Sequence, residues 1–361
     1  MGTEQLKGLA YGPDWENSKK RWEAFWNRDV YDRPVMLISS PRSKPVKELL
    51  DQAGYTPCFD MNPALEFTDF TQMLARTQDR VARIYTCGEA IPVFDHRWSV
   101  AQALAWGCEP AYNANAAWCH PLAVLPEPCY ANENGAGWKW MLDTARRAAE
   151  SAMGNFYVRP DWGNHTGDIL ATIMGNYEML TAMADDPFHI KRLIREVSLS
   201  LDRLYGLMYG IAEDSGNEGT VNYIGCWSPG RSICLDCDIS CMLSPEMFSD
   251  MFLEPIIQTM MQADHRMYHL DGPGAIKHLD TLLGIRELHG IQWVPGAGHE
   301  AIAQWLPILG RIQSAGKALL ISIEPEELPF VLKELKPEGL CLSLWADSEA
   351  TAQRLQEKAK L

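Results

Sequence analysis

The run Tyr268-His269-Leu270-Asp271-Gly272-Pro273-Gly274 carries the sharpest chemical signal in the chain. A strand alternates its side chains, so His269 and Asp271 leave it on one face. The glycines and proline that follow end the strand at a turn. An imidazole and a carboxylate two residues apart can hold a metal or relay a proton. Cys341, from a later apolar run, would complete a three-ligand set of the kind Zn2+ accepts with its fourth position open. On the plainer alternative, Asp271 only orients His269 or caps the turn, and Cys341 is a small core residue.

Other candidates fall at the ends of apolar runs: Arg42, Asp161, Trp162, Trp227, Trp293, Glu324 and Trp345. Asp161 and Glu324 are candidate proton carriers. Four indoles around one mouth would form a flat-walled pocket suited to an aromatic methyl ether or a methylated ammonium. Some of them would equally serve as cover for the core. Arg42 and Arg231 could each grip a substrate carboxylate through two parallel hydrogen bonds, surface ion pairing being the ordinary alternative. His299 and Glu300 sit on the loop after the sixth run, within reach of a bound molecule or at the start of a helix. Cys234-Leu-Asp-Cys237, with Cys226 and Cys241 nearby, is a single Cys-x-x-Cys without a matching second pair, and reads as a loop of free thiols.

Positioning these residues is the task of eight β-prone runs, at 33–39, 81–87, 155–161, 220–227, 266–271, 290–294, 317–323 and 339–345. From residue 155 onward they alternate with helical patterns such as 168–184 and 186–212, which predicts a parallel sheet. There is no Gly-x-Gly-x-x-Gly after an early strand and no Walker-type loop, so the closed (β/α)8 TIM barrel is expected over an open doubly wound sheet. One domain over 1–361 is expected, with a helical N-terminal extension at 1–30 and an insertion or lid at 94–137. In such a barrel the chemistry lies at the carboxyl ends of the strands.

A chain of 361 residues, 47% hydrophobic and 22% charged, suits one α/β barrel with a large core. Its formal charge of −15 opposes nonspecific binding to nucleic acid or anionic membrane. No window approaches the ~18 apolar residues of a membrane span, and the first fifteen residues lack the apolar core of a secretory signal. The expectation is a soluble, cytoplasmic protein. Ten cysteines spread from Cys58 to Cys341 point to free thiols or ligands rather than structural disulfides.

The element His269-Leu270-Asp271-Gly272 resembles the His-x-Cys-Gly of the zinc-dependent, corrinoid-linked methyltransferases in the uroporphyrinogen decarboxylase-like superfamily. The segment 238–248, ending in Ser244-Pro245-Glu246-Met247-Phe248, is similar to that superfamily's lead into a Ser-Pro-x-x-Phe helix, and Asp32-Arg33-Pro34-Val35 to the start of its first strand. The resemblance implies a TIM barrel over roughly residues 30–360. It also implies zinc held by His269, Asp271 in place of the first Cys, and Cys341, with a corrinoid supplied by a partner protein. Asp for Cys hardens the ligand set. The Arg-rich element of a true uroporphyrinogen decarboxylase is replaced by Ser39-Ser-Pro-Arg42-Ser-Lys44, which disfavours a porphyrinogen bearing many carboxylates.

The leading expectation is a methyltransferase that moves a methyl group from a small ether or methylamine-type substrate to a corrinoid protein. Zn2+ on His269, Asp271 and Cys341 would act as Lewis acid. A metal-free decarboxylase or lyase using His269 and Asp271 as acid and base on a small carboxylated substrate stays open, as does a noncatalytic small-molecule binding protein. So does association into a homodimer.

Overall fold

Short β-branched and leucine-rich segments pair into one sheet, most of whose residues are buried. The computed structural model describes residues 8–58, 61–161, 163, 165–299 and 301–360. The strands are β1 (Val35–Pro41), β2 (Ile84–Gly88), β3 (Ser232–Leu235), β4 (His265–Asp271), β5 (Gly290–Val294), β6 (Ala318–Ser322) and β7 (Leu340–Trp345). Their order is β2-β1-β7-β6-β5-β4-β3. All neighbours are parallel except β2, which runs antiparallel to β1. The fold is mixed α/β with a parallel central sheet.

Alternation along the strands feeds two cores. Ile38, Leu270, Ile291, Trp293, Ile321 and Leu342 face the surrounding helices. Val35, Leu37, Cys234, Met267, Leu320 and Cys341 face the other way, onto Trp15, Trp22, Phe25 and Trp26 of the N-terminal helix Trp15–Trp26. Trp26 stacks on His265, the first residue of β4, at 4.5 Å between centroids. That helix therefore plugs the foot of the sheet and leaves the carboxyl ends of the strands as the mouth.

Among the described residues the sheet has seven strands and does not close into the expected eight-stranded barrel. The run 155–161 contributes only a parallel bridge between Tyr157 and Val93. Pro92, next to Val93, has no N–H to extend the bridge backward. The run 220–227 folds instead into an antiparallel hairpin, Thr220–Val221 against Trp227–Ser228. On the edge of β3, the Ser232 and Cys234 amides donate to Thr220 Oγ1 at 2.8 Å and Asp161 Oδ2 at 3.3 Å. Side-chain oxygens thus stand where a neighbouring strand would accept. β3 itself lies in the cysteine-rich stretch that reads as a loop in the sequence. The other six runs overlap β1, β2 and β4–β7, and residues 81–83 end the helix Phe70–Arg83. Residues 94–137 hold a short 3-10 turn, Ala101–Trp106, and the hairpin Pro110–Tyr112 with Ala117–Cys119. Among the described residues no helix is long and apolar enough to cross a membrane.

Candidate active site and metal centre

His269 and Asp271 share one face of β4 at its carboxyl end, as period-two alternation requires. Gly272 follows at φ 72°, a left-handed conformation that only glycine adopts cheaply. Its N–H donates to Val294 O at 2.8 Å, so the chain leaves the sheet directly after Asp271. β3 pairs β4 with Leu235 opposite Tyr268; carried three residues further, that register sets Asp238 opposite Asp271. The ligand atoms of Asp238, His269 and Asp271 lie within 4.8 Å of one another.

Two neighbours fix this trio. His269 Nδ1 lies 2.7 Å from Gln292 Oε1, its register partner on β5. The amide oxygen can only accept, so Nδ1 carries the proton and Nε2 keeps its lone pair for a ligand. Buried Asp168, in the first turn of the helix Thr166–Met174, accepts the Asp238 and Ile239 amides, each at 2.9 Å. The turn bearing Asp238 is thereby clamped. Asp238 is open to solvent over much of its surface, yet the protein around its carboxyl raises its pKa; His269 opposes this and Asp271 adds to it. Two repelling carboxylates and one imidazole nitrogen are a donor set that a divalent cation of the zinc class satisfies.

Behind the trio lies a polar layer. Asp236 Oδ1 accepts the His165 amide at 2.8 Å and Asp236 Oδ2 accepts from Tyr223 Oη at 3.1 Å. Tyr223 packs edge-on to His269, centroids 6.1 Å apart. Burial pushes the Asp236 carboxyl up to about 7, with Asp238 adding to the shift. Burial likewise pushes Asp161 up to about 7 against the pull of Arg159. An Asp raised in the folded state is most stabilising while protonated, below its unfolded pKa near 3.8, and that contribution is lost as pH rises toward 7. Asp161→Asn is therefore expected to be more stable than the wild type at pH 8, by on the order of 4 kcal/mol, and no more stable at pH 4. Denaturant melts at the two pH values check this. An equal difference at both would place the effect in packing, not ionisation.

Beside the trio opens a cleft of about 580 Å3, lined by Leu37, Ser39, Val294, Ser322, Glu324 and Trp345 among others. Val294, in the lining of this cleft, is the register partner of Asp271, so the cleft lies next to the trio. Trp345 is 54% exposed at this mouth, where an aromatic wall was expected. Glu324 also lines it, but is tied into a capping box with Glu327.

Several expected site residues stand elsewhere. Cys341 is not among the clustered ligands; it is fully buried in the inner core beside Leu320 and Val35. Trp227 is buried near the foot, its Nε1 donating to Glu218 O at 2.6 Å and its ring against Trp15. Its run turned into a hairpin, so no strand carries it to the mouth. Trp293 points outward to Trp305, because Gln292 takes the inward position. Arg231 precedes β3 at the foot and is spent on Glu213 at 2.6 Å. Arg42 donates to Ile84 O at 3.1 Å and lies over Tyr85. His299 is exposed and packs on Trp305. Trp162 and Glu300 lie outside the described residues. Sequence reading missed Asp168, Asp236, Asp238, Tyr223 and Gln292. Its available signal was the alternation Cys234, Asp236, Asp238, in phase with His269 and Asp271.

No protein-family model and no curated protein matches the chain. Among solved structures, a methyltransferase from Methanosarcina mazei is similar in fold, with a TM-score of 0.59 at 13% identity over 95% of this chain and 97% of that one.

Proposed function

We propose that the chain is a methyltransferase of the uroporphyrinogen decarboxylase-like kind, taking a methyl group from a small methylated oxygen or nitrogen compound and delivering it to a corrinoid on a partner protein. The observation that carries this reading is the Asp238–His269–Asp271 trio at the mouth of the sheet, in a fold similar to that of a methyltransferase. Those three residues would hold Zn2+, which supplies Lewis acidity at the heteroatom bearing the methyl group.

The remaining work falls to the chain. Gln292 keeps the His269 Nε2 lone pair available, and Asp168 holds the turn of Asp238 against β4. The cleft beside Val294 and Trp345 would receive the substrate. In the transfer, the bond from carbon to heteroatom breaks and leaves its electron pair on the heteroatom. A corrinoid presented by the partner would supply the electron pair for the new bond to the methyl carbon. The heteroatom then takes one proton, for which Glu324 in the lining of the cleft is a carrier.

Free cob(I)alamin can replace the partner in a first test. Metal-loaded protein is expected to methylate it, seen as loss of the cob(I)alamin absorbance, with at least one member of a panel of methyl ethers and methylamines. Chelation is expected to abolish the reaction and Zn2+ to restore it. Protein that carries metal but transfers from no donor overturns the proposal. A reaction that consumes a carboxylic acid without metal moves the function to the acid–base lyase.

A further inference from the structure

The N-terminal helix Trp15–Trp26 leaves a gap at the foot of the sheet. Between it and the start of β4 lies a cavity of about 430 Å3, walled by Trp26, Trp227, Pro229 and His265. Small-molecule sites occupy about 300–1,000 Å3. β4 runs from His265 here to Asp271 at the mouth, about 20 Å away, so this cavity is no part of the substrate cleft.

Both indole N–H groups in these walls are spent. Trp26 Nε1 donates to Trp227 O at 2.9 Å, and Trp227 Nε1 to Glu218 O at 2.6 Å. His265 is half-buried and keeps one nitrogen free. Its Nδ1 lies 2.7 Å from Ser228 Oγ, and that buried hydroxyl already accepts Gly230 N–H at 3.1 Å. Among the described residues the Ser228 hydrogen has no other acceptor, so it is donated to Nδ1, and the proton of a neutral imidazole then sits on Nε2. Among the described residues Nε2 has no hydrogen-bond partner, and it is not sealed from solvent. The ring stays neutral because burial pushes its pKa down to about 4; Asp264 opposes the shift, and Arg266 and Arg28 add to it.

Three features define what fits. His265 and Trp22 both stack on Trp26, at 4.5 and 6.1 Å between centroids, which leaves the indole edge for the cavity. That edge is the positive part of the ring quadrupole and pairs with the face of another aromatic ring. The charged side chains at the rim cancel, Glu16 and Glu23 against Lys19 and Lys20, and Lys19 is held by Glu16 and Glu218 at 3.0 Å each. An ionic ligand thus finds no unmatched charge. His265 Nε2–H, last, requires an acceptor. We infer that the foot cavity binds a small neutral aromatic molecule, to whose carbonyl oxygen or ring nitrogen His265 donates. The site is separate from the metal trio and does not rest on the methyl-transfer reading.

The test is calorimetry with acetophenone and benzamide, set against toluene, which lacks the acceptor, and against benzoate and benzylamine, which carry charge. Wild-type protein is expected to bind acetophenone or benzamide at least about threefold more tightly than toluene or either ion. His265→Phe keeps a ring on Trp26 and removes the donor; it is expected to weaken that ligand by about 3- to 10-fold, the span of one neutral hydrogen bond. Pro229→Trp, which fills the cavity from its wall, should abolish binding, with circular dichroism of both variants separating lost binding from lost folding. His269→Ala should bind as the wild type does. No binding by the wild type, tighter binding of an ion than of the neutral compounds, or unchanged affinity in both folded foot variants overturns the inference. Binding lost in His269→Ala and kept in the foot variants would put the ligand at the mouth and overturn it as well.

Discussion

His269→Ala is expected to empty the metal centre, lowering affinity for Zn2+ by more than about 100-fold. His269 is the one nitrogen donor of the trio, and its loss leaves two carboxylates that already repel each other. Loss of a supporting partner alone costs about 10–100-fold, which is the effect expected of Gln292→Leu; removing the ligand itself must exceed it. Folding should change little, because His269 is only partly buried and its neighbours keep their backbone partners. Cys341→Ala makes the decisive contrast. If the thiol were the third ligand, this variant would lose its metal; with Cys341 in the inner core, it should retain metal and lose about 1 kcal/mol of stability. Mass-spectrometric metal content of the three variants and the wild type, each purified without chelator, reads the result. Full metal in His269→Ala would sink the centre as drawn.

That contrast shows where the sequence was legible. The parallel strands β4 to β7 and the pairing of His269 with Asp271 follow from local pattern, since alternation and a Gly-Pro turn are short-range properties. The third ligand is a matter of register. Cys341 lies in line with His269 across β5 and β6, but three strands away, and nothing local reveals that spacing. Asp238 reaches the site because β3 lies beside β4, and β3 is four residues long within a stretch whose cysteines drew attention from its aspartates. The tryptophans show the same limit. A one-residue change of phase sends Trp293 outward and Gln292 inward, and a hairpin in place of a strand leaves Trp227 at the foot.

Asp168→Asn is expected to loosen the metal centre from behind. The two Asp168 oxygens take the amides of Asp238 and Ile239, each at 2.9 Å. An asparagine keeps the size but turns one acceptor into a donor, so one buried amide faces an N–H. That costs about 1–3 kcal/mol of stability. The helix bearing Asp168 can approach the turn closely because residue 167 is glycine, where a Cβ would stand 2.6 Å from Cys237 Sγ; this tight contact leaves little room to relax. Burial and the charges of Asp236 and Asp238 raise the Asp168 pKa, while the two amides lower it. The upward push prevails, so the two amides are what favours the charged form of Asp168. Affinity for Zn2+, measured by competition with a chelator, should fall by about 10–100-fold while His269→Ala falls further. A loss of melting temperature with Zn2+ affinity intact would make Asp168 a support for the fold alone and would remove Asp238 from the ligand set.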